Sequence, residues 1–194
     1  MSGGFMPRGK EVMATFSGFE ADLLRSLASQ LVELLRNEVA APAASNDPLE
    51  DLLDFSGPTT EPDDPVLARL FPTAYPEDGE AAGEFRRFTE GTLRDGKARS
   101  AVMMIDMLEE SGLPKELDED GLWIDVEMDV PVAQGWMRSF TDIRLALATR
   151  LGVVEGDEDY WESLPDDDPR TQVHDIYDWI GYLQETLVRA LQGH

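Results

Sequence analysis

His174 and Asp178 stand four residues apart, so a helix would bring an imidazole and a carboxylate together. That pair is part of a general-base arrangement, which also needs a nucleophile or a metal within reach. The other histidine of the chain is His194, and cysteine is absent. The spacing therefore reads as a surface ion pair. Glu155, Asp157 and Asp159 alternate as the first ligands of an EF-hand loop do, with Asp166 at the twelfth position. Tyr160, however, stands where such a loop turns on glycine, and Asp166 follows Pro165 with a shorter arm than the usual glutamate. Asp125, Glu127 and Asp129 alternate as residues on one face of a strand do, and read as solvated. No metal is expected at either acidic run.

Gly91-Thr-Leu-Arg-Asp-Gly-Lys97 has the spacing of a phosphate-binding P-loop, but Ala98 replaces the hydroxyl residue that would hold magnesium. A P-loop follows a buried strand, and residues 84–90, Glu-Phe-Arg-Arg-Phe-Thr-Glu, are not one. The glycines read instead as a helix break. No cofactor is expected, and the chain reads as non-enzymatic.

The remaining chemistry is cationic. Forty acids against 16 bases give a formal charge of −24, which opposes unaided binding to a phosphate backbone. The acids gather in connectors: residues 155–168 hold eight acids and no base. Against that background Arg86, Arg87, Arg94 and Lys97 share one projected helix face. They fit either an acidic partner or, as the stronger reading, the chain's own acidic connectors. Arg138, Arg144 and Arg150 lie off the apolar face of the stretch Trp136–Leu151, where Asp142 is the sole acid. Arg144 could pair with Asp142 inside a bundle or meet a partner; both readings stand. These seven cations are the candidate partner-binding residues.

The elements that must position them are mainly helical. Trp136, Phe140, Ile143, Leu147 and Leu151 recur at steps of four and three, and Gly152 can close that helix in the left-handed conformation. The helix is expected to start near Asp129, with Pro131 in its first turn. Ser17 and Glu20 form a capping box, opening a helix to about Glu38 with Leu23, Leu24, Leu27, Leu31, Leu34 and Leu35 as its stripe. Asp168 and Pro169 open a last helix to about Leu191, striped by Val173, Ile176, Tyr177, Ile180, Leu183, Leu187 and Leu191. The central and last helices are expected to pack antiparallel. Trp136, Trp179 and Tyr182 lie in such stripes and read as core or dimer interface. Glu11–Phe16 and Leu122–Val126 read as strands of a small two-stranded ribbon.

Ala40–Gly83 carries seven prolines and ten acids. Short helices are expected at Pro48–Phe55, capped by Asp47, and at Pro65–Phe71, capped by Asp64. Leu67, Leu70, Phe71 and Tyr75 would pin this segment, while 40–62 reads as a mobile connector. Glu84–Glu110 is helical with a conflict: Phe85 and Phe88 project opposite Ala101, Val102, Ile105 and Leu108. The spacing predicts two helices broken between Gly91 and Gly96, or else a second chain covering one stripe.

The expected fold is thus a helical bundle of about four to six helices with at most a small two-stranded β ribbon, a single domain over 1–194. Its 42% hydrophobic residues suffice for one core. No apolar run is long enough to span a membrane. Met1–Lys10 lacks the apolar core of a secretory signal, and absent cysteines fit the cytoplasm.

Glu20–Leu27, Asp142–Gly152, Tyr177–Leu187 and Asp64–Pro72 together resemble, in collinear order, one actinobacterial domain-of-unknown-function family often encoded beside the ClpS protease adaptor. That family includes an oxidative-stress-responsive regulator working with an extracytoplasmic-function sigma factor. The resemblance implies a cytoplasmic transcription co-regulator that contacts a sigma factor or RNA polymerase, with a homodimer as the expected assembly. The regulator's redox switch uses a cysteine pair, so the resemblance does not carry disulfide sensing onto this cysteine-free chain. It implies no catalytic residue. The gene neighbourhood implies an alternative, an adaptor of Clp proteolysis. A metal-dependent enzyme is the third reading, and would require a polar pocket around His174.

Overall fold

The computed structural model describes residues 3–37, 57–117, 121–165 and 167–193. The helix expected at Pro48–Phe55 and most of the connector 40–62 lie outside them. In chain order the elements are β1 (Met6–Arg8), β2 (Glu11–Ser17), α1 (Gly18–Asn37), α2 (Pro65–Leu70), α3 (Gly79–Glu110), β3 (Trp123–Met128), α4 (Val130–Leu151), α5 (Glu158–Glu162) and α6 (Pro169–Gln192). The fold is mainly α, as the periodicities predict.

Helix starts are set by short-range hydrogen bonds to amides that a helix leaves unpaired. Ser17 N–H donates to Glu20 Oε2 at 2.8 Å, and Glu20 N–H donates to Ser17 Oγ at 3.3 Å. Asp64 accepts from the amides of Val66 and Leu67, Asp129 from Val132 and Asp168 from Arg170, each with proline in the first turn. At the far end of α4, Gly152 takes φ 74°, the left-handed cap that a side chain would strain.

The expected ribbon is present and carries a third, shorter strand. The sheet order is β1-β2-β3, antiparallel throughout, with Ala14 opposite Val126 and Met6 opposite Met13. β1 escapes the sequence reading because it is three residues long and exposed, with no alternation to detect. On β2 and β3 the alternation is complete: Val12, Ala14, Phe16, Ile124, Val126 and Met128 face the core.

α4 lies at the centre, packed against α2, α3 and α6. Trp136 and Phe140 are fully buried and meet Phe5 edge-on at ring centroids 5.9 and 6.0 Å away. Leu147 and Leu151, at the end of the same stripe, are only half-buried.

α3 corrects the sequence reading. It is one continuous helix through Gly91 and Gly96, not two. The projection took Phe85 and Phe88 for an inward face, but they stay 43% and 58% exposed. Arg86, Glu90 and Arg94 turn inward instead, in line with Ala101, Met104 and Leu108. A helix with one inward face, polar at its start and apolar later, has no reason to bend.

Candidate functional site

The inward polar face of α3 is made possible by pairing. Glu90, 2% exposed, accepts from Arg86 Nη1 and Arg94 Nε, both at 2.8 Å. Arg86 also donates to the Phe71 carbonyl at 3.1 Å and Arg94 to that of Leu35 at 3.2 Å. The Arg94 guanidinium lies 4.8 Å from the Phe71 ring centroid. Two candidate partner-binding cations are therefore engaged within the fold, fastening the segment after α2 and the end of α1 to α3.

The other candidates disperse. Lys97 donates to Asp142 Oδ1 at 2.6 Å, joining α3 to α4. Burial pushes the Asp142 carboxyl up, and Lys97 opposes that rise. The pairing of Asp142 with Arg144, one of the two readings, is not formed. Arg144 turns to α6, donating to Tyr177 Oη at 3.1 Å and Gln184 Oε1 at 3.2 Å, and lies over the Tyr177 ring. Arg150 donates to Asp64 Oδ2 at 2.8 Å, so one carboxylate caps α2 and anchors α4. Arg87 lies against the Phe88 ring. Arg138 is the exposed cation of the α4 set before its last turn. The cations do not form one patch.

A cleft of about 920 Å³ opens between α4, α5 and α6 and includes Arg144, Asp157, Trp161, His174, Tyr177 and Asp178 in its lining. His174 stacks on Trp161 with ring centroids 4.5 Å apart and 14° between planes. Its Nδ1 lies 3.5 Å from Asp178 Oδ2, the imidazole–carboxylate contact that the spacing of four predicts. The nearby hydroxyls serve structure: Thr171 donates to the Pro165 carbonyl and Thr141 to that of Met137. No hydroxyl among the described residues donates to His174, so no nucleophile–base pair is assembled there.

Asp157, from the calcium-like run, accepts from Val154 N–H at 2.9 Å and Trp161 Nε1 at 2.8 Å. The Val154 amide, first among several donors, holds its carboxyl below the ordinary range. Asp166 lies outside the described residues. Among those described, no three His, Asp or Glu side chains converge as metal ligands. The P-loop-like stretch lies mid-helix, where the amides are already bonded along α3 and cannot cradle phosphate.

Sequence reasoning missed Glu90, the Lys97–Asp142 contact and the Trp161–His174 stack. Each joins residues on different elements or an acid flanked by two bases, and no periodicity signals them.

No helix among the described residues is long and apolar enough to cross a membrane. No solved structure matches the chain. Among curated proteins, it is 27% identical to "Oxidative stress regulator AosR" of Mycobacterium tuberculosis (strain ATCC 25618 / H37Rv) over 199 residues, 95% of this chain and 84% of the relative. It is 30% identical to "Putative oxidative stress regulator AosR" of Mycobacterium leprae over 204 residues, 96% of this chain and 84% of the relative. Residues 1–191 match the family described as "Domain of unknown function (DUF2017)", with no break at the sheet, the long helix or the cleft, and the chain therefore belongs to that family.

Proposed function

We propose that this protein is a non-enzymatic regulator of transcription in the oxidative stress response, acting by contact with a sigma factor or RNA polymerase. The observation that carries the reading is similarity to proteins named oxidative stress regulators along 95% of the chain. Its net charge of −24 agrees, because a strongly acidic protein meets DNA through a partner more readily than alone. With no cysteine, the chain has no thiol switch of its own. It responds to oxidants, on this reading, through what its partner or the cell presents to it. Arg138, exposed on α4, is the cation best placed for such contact. Assembly as a homodimer in the cytoplasm belongs to the same reading.

The test is fluorescence anisotropy of promoter DNA titrated with the protein, alone and with RNA polymerase holoenzyme, at low and physiological salt. Binding that requires polymerase supports the proposal. Tight, salt-sensitive binding by the protein alone overturns it, and silence in both arms transfers the weight to an adaptor role in Clp proteolysis. Sedimentation of the same sample decides the homodimer.

A further inference from the structure

β3 is an edge strand. The sheet order ends on it, and no further strand among the described residues pairs with its outer side. The register fixes which groups face that side. Gly18 N–H donates to the Leu122 carbonyl at 2.7 Å, and a strand residue's N–H and C=O point to the same neighbour. At two-residue steps, Ile124, Val126 and Met128 therefore address β2, opposite Phe16, Ala14 and Val12. Trp123, Asp125 and Glu127 present their amides and carbonyls to the open edge.

Their side chains stand on the outer face of the sheet. Trp123 is 61% exposed. Asp125 accepts from Thr15 Oγ1 and Glu127 from Arg8 Nη1 at 3.2 Å, but Glu11 and Asp129 add further negative charge beside Glu127. A hydrogen bond with Glu127, and then repulsion from it, raises the Glu11 carboxyl above the ordinary value. The edge thus couples backbone groups that no strand among the described residues pairs with to a surplus of carboxylates and one aromatic ring.

We infer that the β3 edge is a docking site for an extended, basic segment of a protein partner, which would add a fourth strand with Lys or Arg facing Asp125 and Glu127. Backbone pairing supplies the binding and alternate side chains the selection, as in other strand additions. Trp123 offers its ring to a cation at the same face. A second copy of this chain fits poorly. The registers that pair β3 with itself along its length set Asp125 opposite Asp125, or Asp125 opposite Glu127, and like charges directly opposed are destabilising. The inference is independent of the transcription partner and is tested without polymerase, so either can fail alone.

The probe is a blocked heptapeptide alternating Lys and Val, added to the full chain and followed by amide hydrogen exchange. At saturation the amides of Trp123, Asp125 and Glu127 are expected to exchange about tenfold more slowly, while those of Ile124 and Val126, already bonded to β2, change little. Equal slowing by a peptide with Glu in place of Lys, or by one with its lysines contiguous, overturns the inference, as does no slowing. Slowing that grows with protein concentration in the absence of peptide assigns the edge to a second copy and also overturns it. Asp125→Pro removes an outward N–H without removing a ladder bond, and should abolish the protection while lowering the melting midpoint only by what the Thr15 hydrogen bond contributes. Should that variant unfold, Asp125→Lys combined with Glu127→Lys decides the matter: the preference must reverse to the Glu peptide.

Discussion

Lys97 on α3 and Asp142 on α4 meet at 2.6 Å, and the second oxygen of Asp142 is buried without a hydrogen-bond partner among the described residues. The contact is the polar join between the long helix and the central one. Lys97 is the cation bonded to Asp142, and Arg138 adds a weaker favourable field.

Lys97→Met should therefore destabilise the protein by about 3 kcal/mol at neutral pH, because it strands a buried carboxylate. The pH dependence has a definite sign. Burial raises the folded-state pKa of Asp142, so this group favours folding below its unfolded value and loses that contribution as pH rises through the folded one. Without Lys97 the rise is larger. The deficit of Lys97→Met should shrink as pH falls into the carboxylate range, and Lys97→Met with Asp142→Leu should recover most of it. Urea unfolding at several pH values measures both; a deficit independent of pH contradicts the account.

The inward arginines of α3 depend on Glu90. Glu90→Ala leaves two buried guanidinium groups facing each other and should cost about 3 to 5 kcal/mol. Arg87→Ala, one residue from Arg86 but on another side of the helix, should cost far less. Thermal unfolding of the two variants decides whether the polar face is structural.

Helix continuity through the glycines has its own test. Neither Gly91 nor Gly96 has an atom within 4 Å of where a Cβ would stand, and neither has a positive φ. Alanine at each should stabilise the protein by about 0.5 to 1 kcal/mol, the ordinary cost of glycine in a helix interior. Destabilisation by both would restore the broken helix that the sequence suggested.

Gly181 should behave oppositely, although it is also in a helix. A Cβ there would sit 3.2 Å from Arg144 Cζ, and that guanidinium is held by Tyr177 and Gln184. Gly181→Ala should lower the melting midpoint despite better helix propensity. Tyr177→Phe, which keeps the ring and removes the hydroxyl, should cost about 1 kcal/mol. Combined with Tyr177→Phe, Gly181→Ala should cost less than alone, since the guanidinium is then freer to move.

Asp168 caps α6 and bonds Arg170, which hold its carboxyl at about 2. A depressed pKa contributes stability above the unfolded value that is lost as pH falls through the folded one. The melting midpoint of Asp168→Ala should lie below that of the parent at neutral pH, and the gap should close between the ordinary carboxylate range and about pH 2. A constant gap down to that pH would mean that the charge of Asp168 is irrelevant to the cap.

How far the sequence reaches follows from the range of the forces involved. The starts of α2, α4 and α6 were legible because Asp64, Asp129 and Asp168 act on amides two or three residues away, and proline fixes the first turn. The strands β2 and β3 were legible because burial on one face imposes a period of two. The His174–Asp178 contact followed from helical spacing alone. The rest required the fold. Glu90 lies between two arginines in the sequence, but only the carbonyls of Leu35 and Phe71, arriving from other elements, make their burial affordable. Lys97 and Asp142 are 45 residues apart, and Trp161 meets His174 across a connector. The sequence by itself determined where the capped helices α1, α2, α4 and α6 and the strands β2 and β3 lie and that the fold is mainly helical, since those choices are settled within a turn or two of chain. Which face of α3 turns inward, where each arginine is engaged and which strand edge stays open were decided only in the tertiary structure, because each depends on partners that the chain brings together after long excursions.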